Sequence, residues 1–216
     1  GMDKGVRIGP ATGNVEDMTT FEQFYDAYKK QMDYAIQLLV NADNAIDMAH
    51  AERCPLPFLS SMVDDCMKVG KTVQEGGAVY NFTGPQGFGV ANMADSLYSV
   101  KTLVYDEKKI TMGELKEALA TNYGKGLGAE DVAAMTAKIA NELKEAGKTI
   151  GEKEVAAILN TVVAASEAPE VKANGERILK LIEEVPKFGN DIPEVDAFAR
   201  DVAYTYTAVS YTHLTL

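Results

Sequence analysis

The stretch that most limits the possible folds is Glu75–Ser96, EGGAVYNFTGPQGFGVANMADS. It holds five glycines (Gly76, Gly77, Gly84, Gly87 and Gly89), one proline and a short β-type run, Ala78–Phe82. Glycine tolerates positive φ and close backbone approach, and its entropic cost on folding makes such clustering informative. A strand that runs into GPQGFG and then into a helix near Asn92 reads as a shaped loop at a strand end. In α/β proteins such loops commonly hold ligands. A phosphate cradle is the rival reading, and the spacing argues against it. Such cradles need GxGxxG, or GxxxxGK followed by Ser or Thr, between strand and helix. Gly84–Gly89 fits neither, and no Lys-Ser or Lys-Thr follows. A plainer reading also stays open: a glycine turn that only lets a strand pack closely on a helix.

The rest of the chain removes other classes of function. A net charge of −11 and a pI near 4.7 argue against a nucleic-acid partner, which calls for a basic face. No run of about 18 apolar residues occurs, so no membrane span is expected. The opening GMDKGVRIGP is polar and unlike a secretory signal. Two cysteines, Cys54 and Cys66, point to a reducing compartment without a disulfide framework. His50 and His213 stand in no ligand-like spacing to them, so no metal site is expected. Cys66 reads as a small core residue, and a catalytic Cys54–His50 pair would need the helix before it to continue. These features describe a cytoplasmic domain with neither nucleic acid nor membrane as partner.

Helical signals dominate. Thr20 and Gln23 form a capping box ahead of a long apolar stripe: Phe21, Phe24, Tyr25, Tyr28, Met32, Ala35, Ile36, Leu39, Ala42 and Ile46. Pro57 opens a second helix with Leu59, Met62, Val63 and Cys66 inward and Gly70 as its stop. Asn92–Tyr105 carries Met93, Leu97, Val100 and Val104 on one face. Thr111 and Glu114 cap a helix to about Tyr123 with Leu115, Ala118 and Leu119 inward. The Ala-, Glu- and Lys-rich region that follows reads as three helices, about Glu130–Ala146, Glu152–Ser166 and Glu170–Val185. Asp191, Pro193 and Glu194 start a last helix with Val195, Phe198, Ala199, Val202 and Tyr206 on its apolar face.

Several blocks in one order resemble a known superfamily. AERCPLPFLSSMVDDCMKVGKTVQEGGAVYNFTGPQGFGVANMADSLYSVK (Ala51–Lys101), with GMDKGVRIGPATGN, ADNAIDMAHAER and PKFGNDIPEVDAFARDVAYTY, is similar to the glycyl radical enzymes related to pyruvate formate-lyase. The wording resembles most the B12-independent glycerol and propane-1,2-diol dehydratases. The resemblance implies an α/β fold: a barrel of two five-stranded half-barrels wrapped by helices, this segment being mostly helical with one or two short strands. Residues 1–123 would belong to the barrel domain, 124–185 to a helical insertion on its outside, and 186–207 to a return to the barrel helices. Residues 208–216 depart from the pattern and read as a non-native tail, so His213 is given no role.

The resemblance also implies a chemistry. A glycyl radical, installed by a separate radical-SAM activating enzyme, makes a thiyl on a cysteine, and a diol then loses water to give an aldehyde. The full-length enzyme would be a homodimer working without oxygen. The family's Gly-Cys-x-Glu and Arg-x-x-Gly-Tyr motifs are absent from these residues: Cys54 is followed by Pro55-Leu56, and Cys66 by Met67-Lys68. The segment is therefore expected to be an internal fragment that has no catalytic residue, binds no cofactor itself and is inactive alone. What it offers is pocket wall. Asn81, Phe82, Thr83, Gly84, Pro85, Gln86 and Gly87 are the candidate substrate-binding loop, with Asn81 and Gln86 facing substrate hydroxyls and Phe82 closing the cavity. Other family members (choline lyase, hydroxyproline dehydratase, sulfonate lyases, formate C-acetyltransferase) are the alternatives within this class. A helical interaction module using Gly124–Val185 is the alternative outside it.

Overall fold

The computed structural model describes residues 2–3, 6–80, 84–125, 152–166 and 168–213. They form two compact units, Gly1–Tyr98 with Lys187–Leu216, and Ser99–Pro186. The helix expected at Glu130–Ala146 lies outside the described residues.

The first unit is built on α1 (Phe21–Arg53) and α8 (Pro193–His213), which pack along each other. The expected capping box starts α1: Gln23 N–H donates to Thr20 Oγ1 at 3.4 Å, and Gln23 Oε1 accepts from Thr20 N–H at 3.4 Å. The helix stops at Cys54, whose φ of −132° is non-helical, because the residue before a proline is pushed out of the α region. Ahead of α1 the chain forms a short antiparallel pair, β1 (Met2–Asp3) with β2 (Val6–Arg7). The connector that follows is tied to α1 by Gln31, whose amide donates to Pro10 O at 2.8 Å and to Thr12 Oγ1 at 3.2 Å.

The buried stripe of α1 differs from the expected one in its second half. Phe21, Ile36 and Val40 are buried, while Leu39 and Ile46 are exposed. The second expected helix is broken in two, α2 (Pro57–Ser61) and α3 (Cys66–Val69). Asp65, with φ of +74°, turns the chain between them, so Leu59 and Met62 face solvent while Cys66 is buried. Gly70 ends α3 as expected, its N–H donating to Cys66 O at 2.9 Å.

The expected strand is also absent where it can be seen. Ala78–Tyr80 are irregular, and Asn81 and Phe82 lie outside the described residues. A strand exists only beside another strand, and the one pairing among the described residues is β1 with β2.

Helix α4 (Val90–Val100) follows the glycine loop, and Ala94 and Leu97 pack with Ala199 and Val202 of α8. Ala94 and Ala199 are almost completely buried, and such small side chains let two helix backbones approach closely.

In the second unit the chain widens into a π-turn, Lys101–Asp106, closed by a Lys101–Asp106 ion pair of 2.6 Å. Leu103 inside it is buried, and its carbonyl accepts from Lys109 N–H at 2.9 Å. Helix α5 (Met112–Ala120) carries the expected Thr111–Glu114 box, with bonds of 2.7 and 3.1 Å. Leu115 and Ala118 are buried, whereas Leu119, expected inward, is exposed. Helices α6 (Glu152–Ser166) and α7 (Pro169–Glu184) match their expected spans closely. The backbone at Gly175 of α7 lies so close to Tyr123 that no side chain would fit, and Arg177 pairs with Glu114 at 2.9 Å.

Two outcomes test this packing. Ala199→Leu, which puts a large side chain where α4 and α8 meet, should cost roughly 1–3 kcal/mol in denaturant unfolding. Hydrogen bonds from the Thr111 backbone and side chain, and the neighbouring Arg177 charge, hold the Glu114 carboxyl below the usual range. A lowered carboxyl stabilises fully above its unfolded pKa, and that contribution disappears as pH falls through the folded value. Glu114→Ala should therefore lower the thermal midpoint at neutral pH, and the difference from the parent should narrow as pH falls below about 4.3.

Candidate functional site

The glycine loop is held at both ends and touched in the middle. Upstream, a 3-10 turn at Val73–Glu75 packs against α1. Val73 N–H donates to Ser60 Oγ at 3.0 Å, and Gln74 Oε1 accepts from Leu56 N–H at 3.2 Å. Glu75 closes the turn by accepting from Thr72 N–H and Oγ1 at 3.0 and 2.9 Å, and these bonds lower its carboxyl pKa. The backbone at Gly77 is pressed onto the Lys71 carbonyl, where a Cβ has no room. Downstream, Gly89 takes φ of +76° and its carbonyl accepts from Met93 N–H at 2.9 Å, which starts α4. Between these ends, Gly87 lies against the ring of Tyr206 on α8.

Most of the described side chains of the loop are exposed. Gln86 is exposed, and Tyr80 and Phe88 keep 87% and 89% of their accessible surface. Pro85 is half-buried and Gly84 and Gly87 are exposed, while Asn81, Phe82 and Thr83 lie outside the described residues. The fold thus fixes backbone and presents side chains. The described residues of the loop, 84–89, carry no acid, base or nucleophile.

A second turn abuts the same helix. Asp95 of α4 accepts from Phe188 N–H at 2.8 Å, and Asp196 of α8 accepts from Gly189 N–H at 3.3 Å. Gly189 and Asp191 both have positive φ, +86° and +57°. The conformation of Lys187–Asp191 is therefore imposed by two carboxylates.

The remaining candidates separate from this site. Helix α1 does continue through His50, and Cys54 N–H donates to His50 O at 3.0 Å, but both side chains are exposed to solvent. Among the described residues, clefts lie elsewhere. One of about 400 Å³ is lined by Thr12, Asn14, Asp17, Gln23, Asp26 and Lys30. Another, of about 260 Å³, lies between α5 and α7 and is lined by Glu117, Thr121, Glu170 and Asn174. Neither includes the loop. Among the described residues no group of three or more His, Cys, Asp or Glu is arranged to hold a metal ion. No described helix is long and apolar enough to cross a membrane.

A family model described as pyruvate formate lyase-like matches residues 1–214. The chain belongs to that family. Among solved structures, one concerning 1,2-propanediol dehydration in Roseburia inulinivorans is 53% identical with a TM-score of 0.83. It covers 97% of this chain and 25% of its own. The glycerol-bound B12-independent glycerol dehydratase from Clostridium butyricum is 43% identical with a TM-score of 0.65, covering 96% of this chain and 20% of its own. Among curated relatives, the (2S)-3-sulfopropanediol dehydratase of Klebsiella oxytoca is 37% identical over 56% of this chain and 15% of the relative. This pyruvate formate lyase-like chain therefore spans a quarter or less of each of these proteins.

Sequence reasoning placed Tyr206 on the packing face of α8 but not against the loop. Its spacing from Val195, Ala199 and Val202 signalled burial, while its partner lies far away in the chain. A direct check is available at the adjoining turn. Asp95→Ala removes a charged acceptor, a loss of about 1.5–3 kcal/mol. Amide exchange at Phe188 should then rise roughly tenfold or more over the parent.

Proposed function

We propose that these residues form part of the pocket wall of a glycyl radical dehydratase acting on a small vicinal diol, propane-1,2-diol or glycerol. The observation that carries the reading is the 53% identity maintained over 97% of the chain to the propanediol-dehydration structure. The matches to sulfopropanediol and hydroxyproline dehydratases, at 37% and 38%, extend over little more than half of it. In the reading, the loop Asn81–Gly87 faces the reacting centre at the end of a barrel strand. Asn81 and Gln86 bond substrate hydroxyls, and Phe82 closes the cavity. Thr83, Gly84, Pro85 and Gly87 set the course of the backbone between them. The outward Gln86 and the backbone fixed on either side of it support this assignment.

The glycyl radical, installed by a radical-SAM activating enzyme, supplies hydrogen-atom abstraction from the diol. These residues hold neither it nor the thiyl cysteine, since neither motif occurs in the sequence. Their contribution is binding, orientation and exclusion of water, which radical chemistry requires for fixed geometry. Alone, the segment has no turnover. The helices of 124–185 are assigned to the outside of the barrel, and the full-length protein to a homodimer.

Gln86→Ala and Phe82→Ala in the full-length activated enzyme test the reading. In Gln86→Ala the loss of one substrate hydrogen bond, about 1–1.5 kcal/mol, should lower kcat/KM for propane-1,2-diol and glycerol roughly tenfold, and in Phe82→Ala the opened cavity should lower it through admitted water. Unchanged values in both variants for both diols would remove the loop from the site.

A further inference from the structure

Gly87 raises a question that its own conformation does not answer. Gly89, two residues on, needs glycine for its left-handed φ of +76°, whereas Gly87 is outside that region. It is also exposed, so a side chain there could reach solvent. What it lacks is room on one side. A Cβ at position 87 would lie 3.2 Å from Cδ1 and 3.3 Å from Cε1 of Tyr206, tighter than ordinary van der Waals contact. The constraint at 87 is therefore an aromatic ring.

That ring is itself well placed to act as a stop. Tyr206 continues the buried series Val195, Ala199 and Val202 along α8, so the α4–α8 core fixes its Cα. Its hydroxyl oxygen is shielded from solvent. Burial pushes the phenol pKa up, and the negative charge of Asp43 on α1 adds to the effect, so the group stays neutral at physiological pH. A half-buried ring has two stiff torsions and little freedom to yield.

We propose that Tyr206 is a positioning residue for the candidate substrate loop, its ring setting the depth at which Gly84–Gly87 sits and so the place of Gln86. This rests on the reading that the loop lines the diol pocket. On that reading Tyr206 helps determine specificity: a donor or acceptor displaced by about 1 Å no longer bonds the diol, and one lost hydrogen bond weakens binding roughly tenfold. A vicinal diol, with two adjacent hydroxyls to be bonded at once, is a substrate sensitive to such a shift.

The experiment uses the full-length activated enzyme and four variants, Tyr206→Ala, Tyr206→Phe, Gly87→Ala and the Tyr206→Ala/Gly87→Ala pair, with Gln86→Ala in parallel. Removing the ring should raise KM for propane-1,2-diol roughly tenfold with a much smaller change in kcat, the signature of lost substrate binding. Tyr206→Phe, which keeps the ring, should recover most of what Tyr206→Ala loses. Gly87→Ala should shift the same parameter, and the pair should cost less than the product of the two single effects, because both act through one contact. If Tyr206→Ala fails to fold, Gly87→Ala with Tyr206→Phe still tests the contact through KM. A parent-like KM in Tyr206→Ala beside an impaired Gln86→Ala overturns the role of Tyr206 and leaves the loop reading standing. Parent-like values in both overturn the loop reading and this proposal with it. Equal damage from Phe and Ala, or strictly multiplicative effects in the pair, also overturns the proposal.

Discussion

The first unit depends on how one aromatic side chain, Phe198, is received. Its ring lies 6.0 Å from Phe21, 5.9 Å from Tyr25 and 5.6 Å from Tyr98, so α8 is joined at one point to the start of α1 and to the end of α4. Tyr25 in turn stacks on Phe21 and Tyr28 at 5.6 and 5.7 Å. Tilted and offset pairs of this kind are worth about 0.5–1.5 kcal/mol each beyond the area they bury. The larger consequence is geometric. Three helices distant in sequence share one contact, and once it forms, the rotation of α8 about its axis is settled.

That rotation decides what happens two turns further along. With Phe198 turned into the aromatic cluster, Ala199 and Val202 face Ala94 and Leu97. Tyr206 then follows on the same side and reaches the backbone at Gly87. The seam is made of bulky rings at one end and small residues in the middle. The rings hold the helices in register, and the alanines let α4 and α8 close. The glycine loop inherits its position from this seam, since α4 begins where the loop ends.

Local signals were legible in the sequence and remote ones were not. The Thr20–Gln23 and Thr111–Glu114 boxes formed as expected because each is decided within four residues. The spans of α6 and α7, and the buried series of α8, followed from composition and period alone. The break between α2 and α3 did not, because apolar spacing across Leu59, Met62, Val63 and Cys66 suits a continuous helix. The deciding features were the bond from Val73 N–H to Ser60 Oγ and the left-handed Asp65, neither of which leaves a periodic trace. Ala78–Tyr80, the described part of the expected strand, are irregular for a similar reason: β-propensity describes a surface, and a surface needs a neighbour. At the loop, the glycines announced tight backbone approach, but only the fold tells that Gly77 meets a carbonyl and Gly87 a ring.

The range of relatives bears on the role proposed for the loop. Proteins named for sulfopropanediol, hydroxyproline and isethionate chemistry share 31–38% identity with parts of this chain while differing in what they act on. A scaffold reused in that way must let the groups that meet substrate change without disturbing the groups that hold the backbone. Here the two sets are physically separate. Ser60, Gln74 and Glu75 hold the backbone through hydrogen bonds, and the ring of Tyr206 lies against Gly87. Gln86, Tyr80 and Phe88 project away from those supports. A change among the outward residues costs little folding free energy, because exposed side chains contribute little to packing. A change among the supports would move every outward residue at once. On the proposed reading of the loop, a change of specificity falls on the first set while the second is kept, and Gly87 belongs with the second.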